Sequence, residues 1–170
     1  VLDMSNPAVI DYLIDRFDRT FRGIEIDYFK WDMNRHMSNV GSAVLPADKQ
    51  GEVFFRYIKG VYRLLDWFRT RFPNAVIETC SGGGGRFDCG MHHYMPQAWT
   101  SDDTDPIERL KIQYGTSFAY PASTMGAHVS AVPNHQTGRI TSMKMRGDVA
   151  LGGNFGFELD LSKLSDEDTE

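Results

Sequence analysis

Cysteine is scarce in this chain. Two among 170 residues, Cys80 and Cys89, can form at most one bridge, so no disulfide framework holds the fold together, and reduced thiols are the expected state. They also fall short of a zinc set, because no Cys and His spacing matches a standard motif. Basic charge is in deficit: the net charge is -5, which argues against a nucleic-acid partner, since phosphate binding needs a basic face. No apolar run approaches the roughly 20 residues needed to cross a bilayer, so no membrane partner is expected. No charged-then-apolar leader stands at the start, and a cytoplasmic location is the expectation that goes with few cysteines. The glycine run Gly82–Gly85 lacks the spacing of nucleotide loops: G-x-G-x-x-G from Gly82 meets Phe87, and a P-loop from Gly85 to Gly90 meets Met91 where lysine is required. Two uses remain open for it, close approach of backbone to a flat polar ligand with Arg86 nearby, or a flexible turn.

What is present is an alternation of helical and strand patterns. Asn6-Pro7 reads as a cap with proline at the first helical position, followed by Val9, Ile10, Leu13, Ile14, Phe17 and Phe21 at helical spacing up to Gly23. "IEIDYFKWD" reads as a strand. A polar loop from Asn34 to Gln50 precedes a long amphipathic helix from Val53 to Phe68, closed by Pro73. "AVIETC" and "PQAWTSD" read as the second and third strands. Asp105-Pro106-Ile107-Glu108 reads as a capping box opening a helix. "TSFAYP" reads as a fourth strand followed by a long loop, "ASTMGAHVSAVPNHQTGR". A helix from Thr141 to about Leu151 then leads to a fifth strand, "GNFGFELDL", and another helix begins near the end.

Such alternation predicts an α/β fold with a parallel sheet, either doubly wound or a (β/α)8 barrel. Polar residues gather at the C-terminal ends of three strands, where barrel active sites are built, which favours the barrel. Five strands where a complete barrel of about 250 residues has eight indicate the later part of one, with the first three strands missing.

Residues two apart on a strand share a face. Tyr28, Lys30 and Asp32 form one such set, Val76, Glu78 and Cys80 another, and Ala98, Thr100 and Asp102 a third. If those faces line the barrel, two carboxylates oppose each other near its mouth, the equipment of a glycosidase. Lys30 beside Asp32 favours the ionised carboxylate, as a nucleophile requires, whereas Asp102 has no cation at i±2 and suits a general acid. Strand-end acids also serve as helix caps or ion-pair partners, and Glu78 reads equally as a buried partner for Lys30. His92, His93, His128 and His135 fit no metal motif and read as hydrogen-bonding residues; no metal is expected. Trp31, Trp99 and Tyr94 read as core or pocket wall, with sugar stacking as the alternative.

The stretches "FKWDMNR", "ETCSGGGGRFD", "WTSDDTDPIERLKIQYGTS" and "MGAHVSAVPNHQTGR" together resemble glycoside hydrolase family 36, the α-galactosidases or melibiases, from about Asp27 to Leu164. The resemblance implies Asp32 as nucleophile at the end of barrel strand four and Asp102 as acid/base at the end of strand six. It implies a C-x-x-G-x-G motif on Cys80, Gly83 and Gly85 that contacts the galactose ring, with Lys30 and Asn34 binding sugar hydroxyls. It further implies a retaining mechanism without a cofactor, acting on melibiose, raffinose and stachyose, in an oligomeric parent with β-rich domains flanking the barrel. Residues 1–170 would then be a partial catalytic domain holding about strands four to eight, and inactive alone. A galactosyltransferase on the same scaffold and a non-catalytic sugar-binding segment are the competing readings.

Overall fold

The computed structural model describes residues 1–169, which divide into two compact units, 1–29 with 34–76, and 30–33 with the residues from 77 onward.

The first unit is built on two helices. In α1 (Pro7–Thr20), the Asn6 side chain accepts from the Ala8 N–H and Pro7 occupies a position whose N–H would be orphaned anyway. A 3-10 turn, Ala47–Glu52, begins inside the expected polar loop, runs past its end at Gln50 and leads into α2 (Val53–Arg71). The apolar stripes of the two helices meet in a cluster of Phe17, Phe21, Phe68 and Phe72, joined by Phe29, with edge-to-face rings such as Phe29 and Phe68 at 5.3 Å. Ile10, Leu64 and Leu65 complete that core. The Asp18 carboxylate accepts from Arg71 at 3.1 Å beside it.

The second unit is a five-stranded sheet with its connecting helices. Its strands are the end of β1 (Tyr28–Asp32), β2 (Val76–Cys80), β3 (Gln97–Trp99), β4 (Met125–Ser130) and β5 (Asn154–Glu158). Helices α3 (Cys89–Tyr94), α4 (Pro106–Ser117) and α5 (Met143–Ala150) connect them, and a short α6 (Asp166–Thr169) follows. The order across the sheet is β1-β2-β3-β4-β5, with β2 to β5 paired in parallel. A doubly wound sheet reverses direction at a switch point; this one does not, as in a barrel wall. It also curls. Four strand spacings would separate β1 from β5 by about 19 Å in a flat sheet, yet Lys30 Nζ on β1 lies 3.4 Å from Glu158 Oε1 on β5. The fold is α/β and consistent with part of a (β/α)8 barrel.

One face of each strand turns to the helices. Ala127 and Val129 of β4 pack with Ala150 of α5, flanked by Met143 and Leu159. The other face carries Lys30, Glu78, Cys80, Trp99 and His128. Among the described residues no helix is long and apolar enough to cross a membrane.

Four expectations need correction. "TSFAYP" is no strand: Thr116 and Ser117 end α4, and Phe118, its C-cap, is 77% exposed. The fourth strand is "MGAHVS", inside the expected loop; its Met125, Ala127 and Val129 do alternate, but the residues that alternate with them are glycine, histidine and serine, which mask the pattern. A short helix, α3, follows the glycine run where none was expected, capped by Asp88 accepting from Gly90 and Met91 N–H. At α4 the Asp105 carboxylate accepts from Ile107 N–H as expected, but the Asp105 N–H donates to Asp103 rather than to Glu108.

Candidate active site

The candidate site lies in the second unit. At the C-terminal end of β1 the chain leaves the sheet at Asp32 and is tied down at once. Met33 N–H donates to the Cys80 carbonyl at 3.0 Å, and Ser81 Oγ donates to the Met33 carbonyl at 2.7 Å. Arg86 spans the same two strand ends, its Nη2 donating to the carbonyls of Trp31 at 3.0 Å and Cys80 at 2.7 Å. A guanidinium offers several donors in a rigid plane, so one side chain fixes the offset between the residues that precede Asp32 and follow Glu78.

The glycine run then turns back over this edge. Gly82 and Gly83 adopt φ of +56° and +78°, a left-handed conformation that costs other residues. Space is as restrictive as angle. A Cβ on Gly83 would stand 2.7 Å from Ser101 Cα and 3.0 Å from Asp102 N; one on Gly85 would stand 2.5 Å from the Ser81 carbonyl oxygen. The close approach this run makes is not to the flat polar ligand anticipated for it but to the protein's own segment leading to Asp102.

That contact accounts for Asp102 better than strand parity does. β3 ends at Trp99, so Asp102 lies three residues beyond it. On β3 it is Gln97 and Trp99 that share the face of Glu78, with the Gln97 amide donating to Glu78 Oε2 and Trp99 lying under Lys30; Ala98 faces away. The expected set of Ala98, Thr100 and Asp102 on one strand face is therefore incorrect. Asp102 is nonetheless brought to the same thiol as Asp32, because the loop carries it back. The Cys80 thiol lies 3.9 Å from Asp102 Oδ1 and also hydrogen-bonds the Asp32 carboxylate. Burial comes first, then the Asp32 and Asp102 carboxylates; against the opposing Gly83 N–H they push the Cys80 thiol up to about 11.

Lys30 shares a strand face with Asp32, but its ion-pair partners are others. Nζ stands 3.5 Å from Glu78 Oε1 and 3.4 Å from Glu158 Oε1, and 4.7 Å from the centre of the Trp99 ring. Glu78, for which lining and pairing were both open, is a fully buried partner of Lys30. Glu158 was missed: it sits on β5, remote in sequence, and the tail "GFELDL" carries no motif. Of the histidines, His128 stacks on Trp99 and His92 Nδ1 contacts the Met95 carbonyl. Among the described residues no group of three or more His, Cys, Asp or Glu side chains is placed to hold a metal ion. Lys30, Asp32, Cys80, Gly83, Gly85 and Asp102 thus come together at one end of the sheet. Asn34 opens the loop of the first unit.

The family model of the melibiases matches residues 1–170. The chain belongs to the melibiase family. A relative within it, alpha-galactosidase AgaA of Geobacillus stearothermophilus, is 56% identical over 170 residues, which are all of this chain and 23% of that enzyme. A doubly substituted form of that GH36 enzyme, crystallised with raffinose, superposes with a TM-score of 0.94 at 56% identity over 99% of this chain and 23% of its own. Another substituted form, in complex with stachyose, matches with a TM-score of 0.94 at 56% identity over 99% of this chain and 24% of its own. The chain spans about a quarter of the length of these melibiase relatives.

Proposed function

We propose that the full-length protein carrying this segment is a retaining α-galactosidase, and that the segment is strands four to eight of its catalytic barrel. In this reading Asp32 attacks the anomeric carbon while Asp102 protonates the departing glycosidic oxygen. Asp102 then takes a proton from water, and that water releases α-galactose from Asp32. Lys30, Asn34, Cys80 and the backbone at Gly83 and Gly85 bind the galactose ring. The two carboxylates and water account for every proton moved: the pair of the cleaved glycosidic bond leaves with the aglycone oxygen, and the pair lent by Asp32 returns to it when a water pair takes its place at the anomeric carbon.

The observation that carries the proposal is the single sulfur shared by two acids. The Cys80 thiol reaches both the Asp32 and Asp102 carboxylates, and two acids that touch one small group are close neighbours. The retaining reading rests on the family resemblance, and it requires carboxyl groups about 5–5.5 Å apart rather than the roughly 6.5–9.5 Å of inversion. The family membership and the raffinose and stachyose complexes of the relative support terminal α-galactosides as substrates.

The test is a peptide map of the full-length protein after reaction with a slow fluorinated α-galactosyl inactivator. A hexose-derived adduct on the peptide holding Asp32 supports nucleophile, stereochemistry and sugar together. Turnover of an aryl α-galactoside with no adduct on that peptide would place the chemistry elsewhere. Absence of both adduct and turnover would refute the enzymatic reading.

A further inference from the structure

Lysine positions a charge poorly by itself, because its ammonium ends a flexible four-carbon stem. Here three groups converge on it. Glu78 is fully buried and its Oε1 accepts no hydrogen bond, so the Lys30 ammonium 3.5 Å away is the counter-charge that burial demands. That contact sets how deep the ammonium sits. The Trp99 ring walls one side. The remaining direction is set by Glu158.

Glu158 is half exposed, and an ion pair so exposed adds little to stability. Its orientation, however, is imposed. His128 Nδ1 lies 2.9 Å from Glu158 Oε2, which leaves Oε1 directed at Lys30. The imidazole is held in turn, stacked on Trp99 at 4.6 Å and 15°. On β5 its neighbour in register is Gly156, where a Cβ would stand 2.9 Å from His128 Cδ2. Gly156 and Glu158 lie two apart on one strand face, so β5 supplies both the gap for the ring and the carboxylate that the ring orients.

We propose that Glu158, oriented by His128, is a positioning residue that sets the reach of Lys30 toward the substrate hydroxyls. The inference rests on the α-galactosidase reading of the site. The ammonium donates to Glu158 and faces the Glu78 carboxylate as its counter-charge, so the two carboxylates together fix where it sits.

The experiment is a double-mutant cycle in the full-length protein with Glu158→Gln and Lys30→Met, reading kcat and KM for an aryl α-galactoside and the inhibition constant of galactose. Gln keeps the shape and can still accept from His128, but has no charge for Lys30. Glu158→Gln alone should lower kcat/KM and weaken galactose binding about tenfold, and on the Lys30→Met background should cost less than about twofold. Equal factors on both backgrounds would overturn the proposal. If Glu158→Gln does not fold, His128→Gln carries the same comparison. A crystal structure of Glu158→Gln decides the point without turnover. A Lys30 ammonium moved by about 1 Å or more, or spread over rotamers, supports positioning; an ammonium unmoved beside Glu78 overturns it. An unsubstituted protein inert toward α-galactosides would sink the functional reading, while the position of the ammonium in that crystal would still decide whether Glu158 holds it.

Discussion

Gly83→Ala isolates the contact that carries Asp102 into the site. The new methyl meets Ser101 Cα at 2.7 Å, about 0.7 Å inside the distance at which ordinary contact begins, and it meets backbone, which cannot rotate away. The left-handed φ of +78° adds its own cost, about 1–2 kcal/mol for an L side chain. With about 1–3 kcal/mol for overpacking, the loss of stability should be about 2–5 kcal/mol. The catalytic effect follows from displacement: a misplacement near 1 Å can cost about 100-fold, so a shift of this size at Asp102 should lower kcat/KM by about 10- to 100-fold. The assay is aryl α-galactoside turnover by the full-length protein, with Tm measured alongside. Gly23→Ala is the comparison, because Gly23 has φ of +75° but nothing within 4 Å of its would-be Cβ. It should lose only the backbone contribution and keep wild-type kcat/KM. A Gly83→Ala protein that lost Tm yet turned over substrate within twofold of wild type would refute the claim that this loop positions Asp102.

Other outcomes follow from the same geometry. With its thiol pushed up to about 11, Cys80 holds about one thiolate in a thousand at pH 8, so iodoacetamide should alkylate exposed Cys89 long before it; equal labelling by mass spectrometry would contradict the packing. Asp102→Ala should cost far more turnover on substrates with poor leaving groups than on activated aryl α-galactosides, and equal losses would argue against an acid at that position. Asp105→Ala removes a cap on α4, the ion pair to Arg139 and the acceptor for Thr137, and should destabilise by about 2–5 kcal/mol in chemical denaturation. Burial alone would raise the Asp105 carboxyl, but the Thr137 hydroxyl, the Ile107 N–H and Arg139 hold it below its ordinary value of 3.8. Its contribution is therefore present above that pH and lost as pH falls through the lower folded value, so Asp105→Asn should flatten this acid limb of the stability curve.

Much of the fold was legible because local chemistry declares itself. Asn6-Pro7 and Asp105-Pro106 start helices where their side chains say they should, and the face shared by Lys30 and Asp32 follows from a two-residue period. What escaped was what depends on a partner. β4 hid because glycine, histidine and serine occupy its inner face, and they are there because Trp99, Glu78 and Glu158 fill the space opposite. The face of Asp102 was misread because a strand's parity means nothing past its last residue, and β3 is only three residues long. Lys30 was assigned to Asp32 by proximity in sequence, whereas a curled sheet brings it a carboxylate from the far strand. No spacing rule reaches from β1 to β5.

The separation between Lys30 and Glu158, 128 residues along the chain, has a temporal meaning. At about 5–20 residues per second, the ribosome needs on the order of ten seconds after making the lysine to deliver the carboxylate that aims it. Glu78 arrives well before. A nascent chain therefore passes through an interval in which the ammonium has its anchor but not its direction, and the ion-pair set around Lys30 closes only when the last strand of this sheet has been laid down.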